Sequence, residues 1–76
     1  DDVVVAEFEL PASWVGKTVR EVDARRLYHL NIIGYRLKKH QPLESQFTPD
    51  FVWQEGVSIM AVTDNQHLDN LREIVK

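Results

Sequence analysis

The stretch VGKTVREVDARRLYHLNIIGYRL, residues 15–37, decides how the chain is read. Within it Thr18-Val19-Arg20-Glu21 fits the Thr-x-x-Glu capping box, in which each of the two end side chains accepts a hydrogen bond from the backbone N–H of the other. A helix therefore starts at Thr18. Val19 and Val22 lie three apart on one face with Leu27 near the same side, whereas Arg20, Glu21, Arg25 and Arg26 point mainly to solvent. Asp23 is able to cap a second turn, so a break is expected there, and the helix ends by His29 or Leu30. Residues 32–37, IIGYRL, are apolar on both faces, as in a strand interior to a sheet.

Upstream, residues 3–10 alternate. Val4, Ala6, Phe8 and Leu10 share one face, and Val3, Val5, Glu7 and Glu9 share the other, which predicts a half-buried strand ended by Pro11. Val3 and Val5 make the second face apolar at its start, which suits cover by a neighbouring subunit or domain. Downstream, residues 38–42 read as a polar turn and 43–47 as an antiparallel return strand. Thr48-Pro49-Asp50 and Glu55-Gly56 are turn signals, and residues 57–62 form the last strand. Asp64 or Asn65 caps a closing helix whose buried stripe is Leu68, Leu71 and Val75. The predicted order, β-α-β-β-β-α, is a two-layer α+β domain with two helices on a four-stranded sheet.

Composition bounds what such a domain does. A single domain of 76 residues buries only about 60% of the surface its unfolded chain exposes, so stability shared with a partner is expected. With 43% hydrophobic and 28% charged residues there is enough apolar surface for a folded core. No cysteine is present, which removes disulfides, thiolate metal ligands and thiol catalysis. A net charge of −3 argues against DNA or RNA as a partner, so any anion must be held by local arginines. No apolar run approaches the roughly 20 residues of a membrane helix. The chain opens on Asp and enters a strand within two residues, so residues 1–76 are read as one domain of a larger protein.

Catalytic chemistry finds little support. Ser13, Ser45 and Ser58 lack a nucleophile elbow, and His29, His40 and His67 stand at no metal or triad spacing. Glycines at 16, 34 and 56 are too scattered for a phosphate-binding loop. No enzyme activity is expected. Trp14, Trp53, Phe47 and Phe51 read as core or interface aromatics.

One polar group stands out: Asp23, Arg25, Arg26 and Asn31 fall within nine residues. Arginine can fork two hydrogen bonds onto a phosphate, Asp or Asn can read the edge of a base, and Ile32 can cover a ring. In the plainer alternative Asp23 caps the second turn or pairs with Arg26, and Asn31 closes a turn. Spacing alone favours the plainer account.

The segment Val15-Gly16-Lys17-Thr18-Val19-Arg20-Glu21-Val22-Asp23-Ala24-Arg25, then Tyr28, Asn31-Ile32-Ile33, Pro49-Asp50 and Glu55-Gly56, resembles the C-terminal lobe of regulator-of-potassium-conductance (RCK) proteins, the TrkA-C domain. The likeness runs over nearly the whole chain, and the Gly-Lys-Thr-x-x-Glu-x-Asp-x-Arg run is its most specific part. It implies a cytoplasmic, homodimeric regulatory lobe, membrane-associated through a potassium channel, potassium uptake system or cation/proton antiporter in the same or a separate chain. In one branch of the family the paired lobes bind cyclic di-AMP as a regulatory ligand across the two-fold. Matched by position, the ligand residues fall on Asp23, Arg25, Asn31 and Ile32, with Arg25 suited to the phosphates and Asp23 with Asn31 to the adenine. The alternative role is a purely structural dimerisation lobe with no ligand or cofactor of its own. The chain departs from the family pattern at Tyr28-His29, where Tyr-Gly is common, at Gly56-Val57, where Gly-Asp is, and in a hairpin turn without Asp-Gly.

Overall fold

A computed structural model describes residues 2–74. Strand β1 (Val3–Glu9) follows the alternation read from its sequence: Val4, Ala6 and Phe8 are half-buried, while Val3 and Val5 are exposed. Pro11 ends it, and a 3-10 turn at Ala12–Trp14 carries the Trp14 indole into the core, where it is 2% exposed.

The helical stretch is broken where Asp23 stands. Helix α1 (Val19–Val22) and helix α2 (Ala24–Tyr28) are separated by Asp23 in the left-handed region at φ 52, a conformation that Asp tolerates better than most residues. Both bonds of the capping box form: the Glu21 N–H donates to Thr18 Oγ1 at 3.1 Å, and the Thr18 N–H donates to Glu21 Oε1 at 2.9 Å. The hydrogen bonds from the Thr18 backbone and side chain hold the Glu21 carboxyl below its usual range. A lowered folded-state pKa means that this contribution is present above the ordinary carboxylate range and is lost as pH falls through the lowered value. Thr18→Ala should cost about 1 kcal/mol of stability, measured as a lower denaturation midpoint, and Thr18→Ser should restore most of it.

Strands β2 (Asn31–Arg36) and β3 (Ser58–Asp64) complete a three-stranded antiparallel sheet of order β1-β3-β2. Two expectations change here. The sheet has three strands rather than four, and the interior position belongs to the last strand rather than to residues 32–37. In β3, Ile59, Ala61 and Thr63 are buried on the inner face, and Ser58, Met60, Val62 and Asp64 are half-buried on the outer, so both edges and both faces are used.

The expected return strand at 43–47 shrinks to one bridge between Glu44 and Tyr35, each donating its N–H to the other's carbonyl at 2.7 and 2.9 Å. Continuing that ladder would require a regular strand below Tyr35, but β2 changes register between Ile32 and Gly34. Gly34 is what lets the segment approach at all: a Cβ there would lie 2.8 Å from Leu43 Cγ and 2.9 Å from the Glu44 carbonyl oxygen.

Residues 49–53 instead lie against the start of α1. The Gly16, Val19 and Arg20 N–H groups donate to the Trp53, Phe51 and Pro49 carbonyls, and the Trp53 N–H donates to the Lys17 carbonyl, all at 2.9 Å. This ladder seats Trp53, 0% exposed, among Tyr35, Phe47 and Phe51 with ring centroids 5.3–6.0 Å away. The core closes with Val22 and Ala24 from the two short helices, Leu30, Val57, Ile59 and Ala61, and Leu71 from helix α3 (Leu68–Ile74). Val75, the third residue of the expected stripe, lies outside the described residues. Among the described residues no helix is long and apolar enough to cross a membrane.

Two turns that lack glycine are built on histidines in the left-handed region, His29 at φ 57 and His40 at φ 73. His29 is held by its surroundings: its ring stacks on His67 with centroids 3.9 Å apart, and its carbonyl accepts from Thr63 Oγ1 at 3.0 Å. His40 is exposed at the tip of the β2 connection. His40→Gly should therefore raise stability by about 0.5–1 kcal/mol in a denaturation curve, the relief of strain exceeding the added freedom of the unfolded chain.

Candidate functional site

The break at Asp23 and the turn into β2 place four side chains around one concavity. Asp23, Arg25, Asn31 and Ile32 all line a groove of about 460 Å³. Its floor is apolar, with the buried Ala24 and Leu30 beside Val19, and its far wall is Phe47 and Pro49 from the loop that the Phe51–Trp53 ladder folds over α1. Arg20 lines it as well. Sequence reasoning missed Arg20, Leu30, Phe47 and Pro49 as groove residues because two of these come from a loop brought in by long-range pairing. A proline and an aromatic residue flanking a turn are too common to mark a wall.

The plainer account of Asp23 is half realised. Its side chain caps nothing, but its Oδ2 accepts from Arg26 Nε at 2.6 Å. Arg26 is thereby paired and does not line the groove, while Asp23, with its second carboxylate oxygen outside this contact, does. Arg20 is engaged too, with Nη1 2.8 Å from Asp50 Oδ1. Arg25 is exposed and, among the described residues, has no carboxylate partner. The groove thus offers one uncommitted guanidinium, one carboxylate oxygen and an exposed Asn31 amide around an apolar floor. Such a set can bind an anion and the polar edge of a ring while burying the ring's face.

A larger depression of about 970 Å³ lies at the C-terminal end of β1, between Glu7, Glu9, Arg36, Lys39 and Glu55. Its arginine is committed twice, to Glu7 Oε2 at 2.8 Å and to the Gln41 carbonyl at 2.7 Å, and its charges are mixed in sign. It holds none of the four residues. Among the described residues no group of three or more His, Asp or Glu side chains is placed to hold a metal ion.

No family model matches the chain, and no curated protein matches it by sequence. Solved structures do match. The crystal structure of the GsuK RCK domain superposes with a TM-score of 0.81 over 96% of this chain at 18% identity, and the GsuK channel bound to NAD with a TM-score of 0.82 over 96% at 18% identity. This chain spans only 16% and 13% of those two chains. The RCK C domain of the potassium transport protein KtrA, solved in complex with cyclic di-AMP, superposes with a TM-score of 0.79 at 16% identity, over 96% of this chain and 84% of that one. At these identities the likeness is one of fold. The chain is a small α+β domain with the fold of the RCK C domain.

Proposed function

We propose that this domain is the cytoplasmic regulatory lobe of a potassium channel, a potassium uptake system or a cation/proton antiporter. Two copies meet across the groove and share cyclic di-AMP, Arg25 of each meeting a phosphate, Asp23 and Asn31 meeting the adenine edge, and Ile32 covering the ring. The observation that carries this reading is the convergence of Asp23, Arg25, Asn31 and Ile32 on one groove in which Arg25 has no carboxylate partner among the described residues. The solved KtrA RCK C domain, similar in fold, was captured with cyclic di-AMP, which supports the choice of ligand.

Exposed apolar side chains agree with a second copy. Leu27, on the same short helix as Arg25, and Ile33, two residues beyond Asn31, are both exposed. In a domain whose core is small, such side chains gain most from burial against a partner. Regulation follows from population shift: a ligand touching both copies favours one dimer geometry, and the attached transporter responds to the difference. Calorimetric titration of the dimer with cyclic di-AMP should give one ligand per two chains and a raised thermal midpoint. Absence of both heat and thermal shift at high ligand concentration would remove the reading.

A further inference from the structure

The groove contains a second guanidinium that is present but occupied. Arg20 lines it, and Arg20 Nη1 is 2.8 Å from Asp50 Oδ1. We infer that Arg20 is a second anion-binding arm of this groove, masked by Asp50 while the groove is empty and handed over to a phosphate when a ligand enters. The inference rests on the groove being the ligand site.

Three features argue for exchange rather than for a fixed structural bridge. The two side chains are 67% and 75% exposed, so water screens their attraction and the pair contributes little to holding the fold. The contact is made through one terminal nitrogen, whereas a phosphate can take two parallel hydrogen bonds from the same guanidinium. The main chains on both sides are already fixed to each other, the Arg20 N–H donating to the Pro49 carbonyl at 2.9 Å. The side chains can therefore part while the rim stays in place.

The contrast with Arg26 sharpens the point. Arg26 is paired with Asp23 and is not among the groove residues, whereas Arg20 is already on the lining. With Arg25 bare and Arg20 exchangeable, one copy of the groove holds two cationic arms. Both arms then serve the one phosphate that each copy receives, and Asp50 discriminates against ligands without a group that can displace it.

The test is a double-mutant cycle by titration calorimetry on the wild type, Arg20→Met, Asp50→Asn and the double variant, with cyclic di-AMP and, separately, with inorganic pyrophosphate. Asp50→Asn should tighten binding by about threefold, the release of one exposed ion pair. Arg20→Met should weaken it by about tenfold, the loss of a charged hydrogen bond. The gain from Asp50→Asn should vanish once Arg20 is replaced. Unaltered binding by Arg20→Met, or a gain from Asp50→Asn that persists without Arg20, overturns the inference, since the second result would reflect general charge alone. If cyclic di-AMP binds but the cycle is flat, the masked arm falls and the proposed function stands. If pyrophosphate shows the cycle while cyclic di-AMP gives no heat, the masked arm stands and the dinucleotide reading falls. If neither probe binds, both fall.

Discussion

Arg25→Ala is expected to weaken cyclic di-AMP binding roughly 30- to 150-fold, which corresponds to about 2–3 kcal/mol for hydrogen bonds to a charged group. Arg25 is exposed and has no carboxylate partner among the described residues, so removing it breaks no ion pair and leaves no buried charge behind. The unliganded thermal midpoint should consequently stay within a degree or two of the wild type, and the two measurements together separate a binding defect from a folding defect. Arg25→Lys should recover only part of the loss, because an ammonium restores the charge without the planar fork. Calorimetry on the three proteins decides the matter, and equal affinities would end the proposal that this groove reads phosphate through position 25. No change in either ligand binding or dimerisation in Arg25→Ala would favour the purely structural role.

Trp53→Ala should be the most damaging single change to the fold. The indole is 0% exposed and packs on Tyr35, Phe47 and Phe51. Truncating a buried tryptophan costs about 3–5 kcal/mol in lost transfer energy and residual cavity. A domain of this length is stable by roughly 4–11 kcal/mol at the usual 0.05–0.15 kcal/mol per residue. The variant should therefore melt at least about 15 °C lower by circular dichroism, with a part of the population unfolded at room temperature.

Trp53→Phe should lose much less, for a specific reason. The Trp53 indole N–H is buried without an acceptor, so the smaller ring removes an unsatisfied donor along with the bulk. Function should fall with stability in Trp53→Ala, since the same segment supplies the groove wall. Pro49 and Phe47 are positioned by the ladder that Trp53 ends.

What the sequence disclosed and what it withheld divides along the range of the interactions. Local chemistry was legible. The Thr18–Glu21 box forms both of its bonds, the break comes at Asp23, and the alternation over 3–9 puts Val3 and Val5 outside and Phe8 inside. Of the polar group Asp23, Arg25, Arg26 and Asn31, three members lie along one groove with Ile32 while Arg26 does not. A short helix and the turn after it keep such neighbours in sequence close in space, but only the family resemblance made Asp23, Arg25, Asn31 and Ile32 legible as a set.

Strand order was not, since an apolar run on both faces marks burial but does not say which of two such runs takes the middle. Residues 32–37 and 57–62 look alike in this respect, and only pairing with β1 separates them. The fourth strand failed at the register change beside Gly34, an irregularity with no sequence signal beyond a single glycine. The departures at the two glycine-poor turns were visible. What the sequence could not show is that His29 and His40 would accept the left-handed conformation themselves instead of the turns being rebuilt.

The position of β3 between the two earlier strands has a kinetic side. Neither β1 nor β2 can find its ladder until residues 58–64 have been synthesised, because the two never pair with each other. During translation residues 2–57 therefore carry strands β1 and β2 without their common partner and several uncovered aromatic rings, and the sheet assembles in one late step when the central strand emerges. A nascent chain stalled before Ser58 should be a good client for chaperones that hold extended segments.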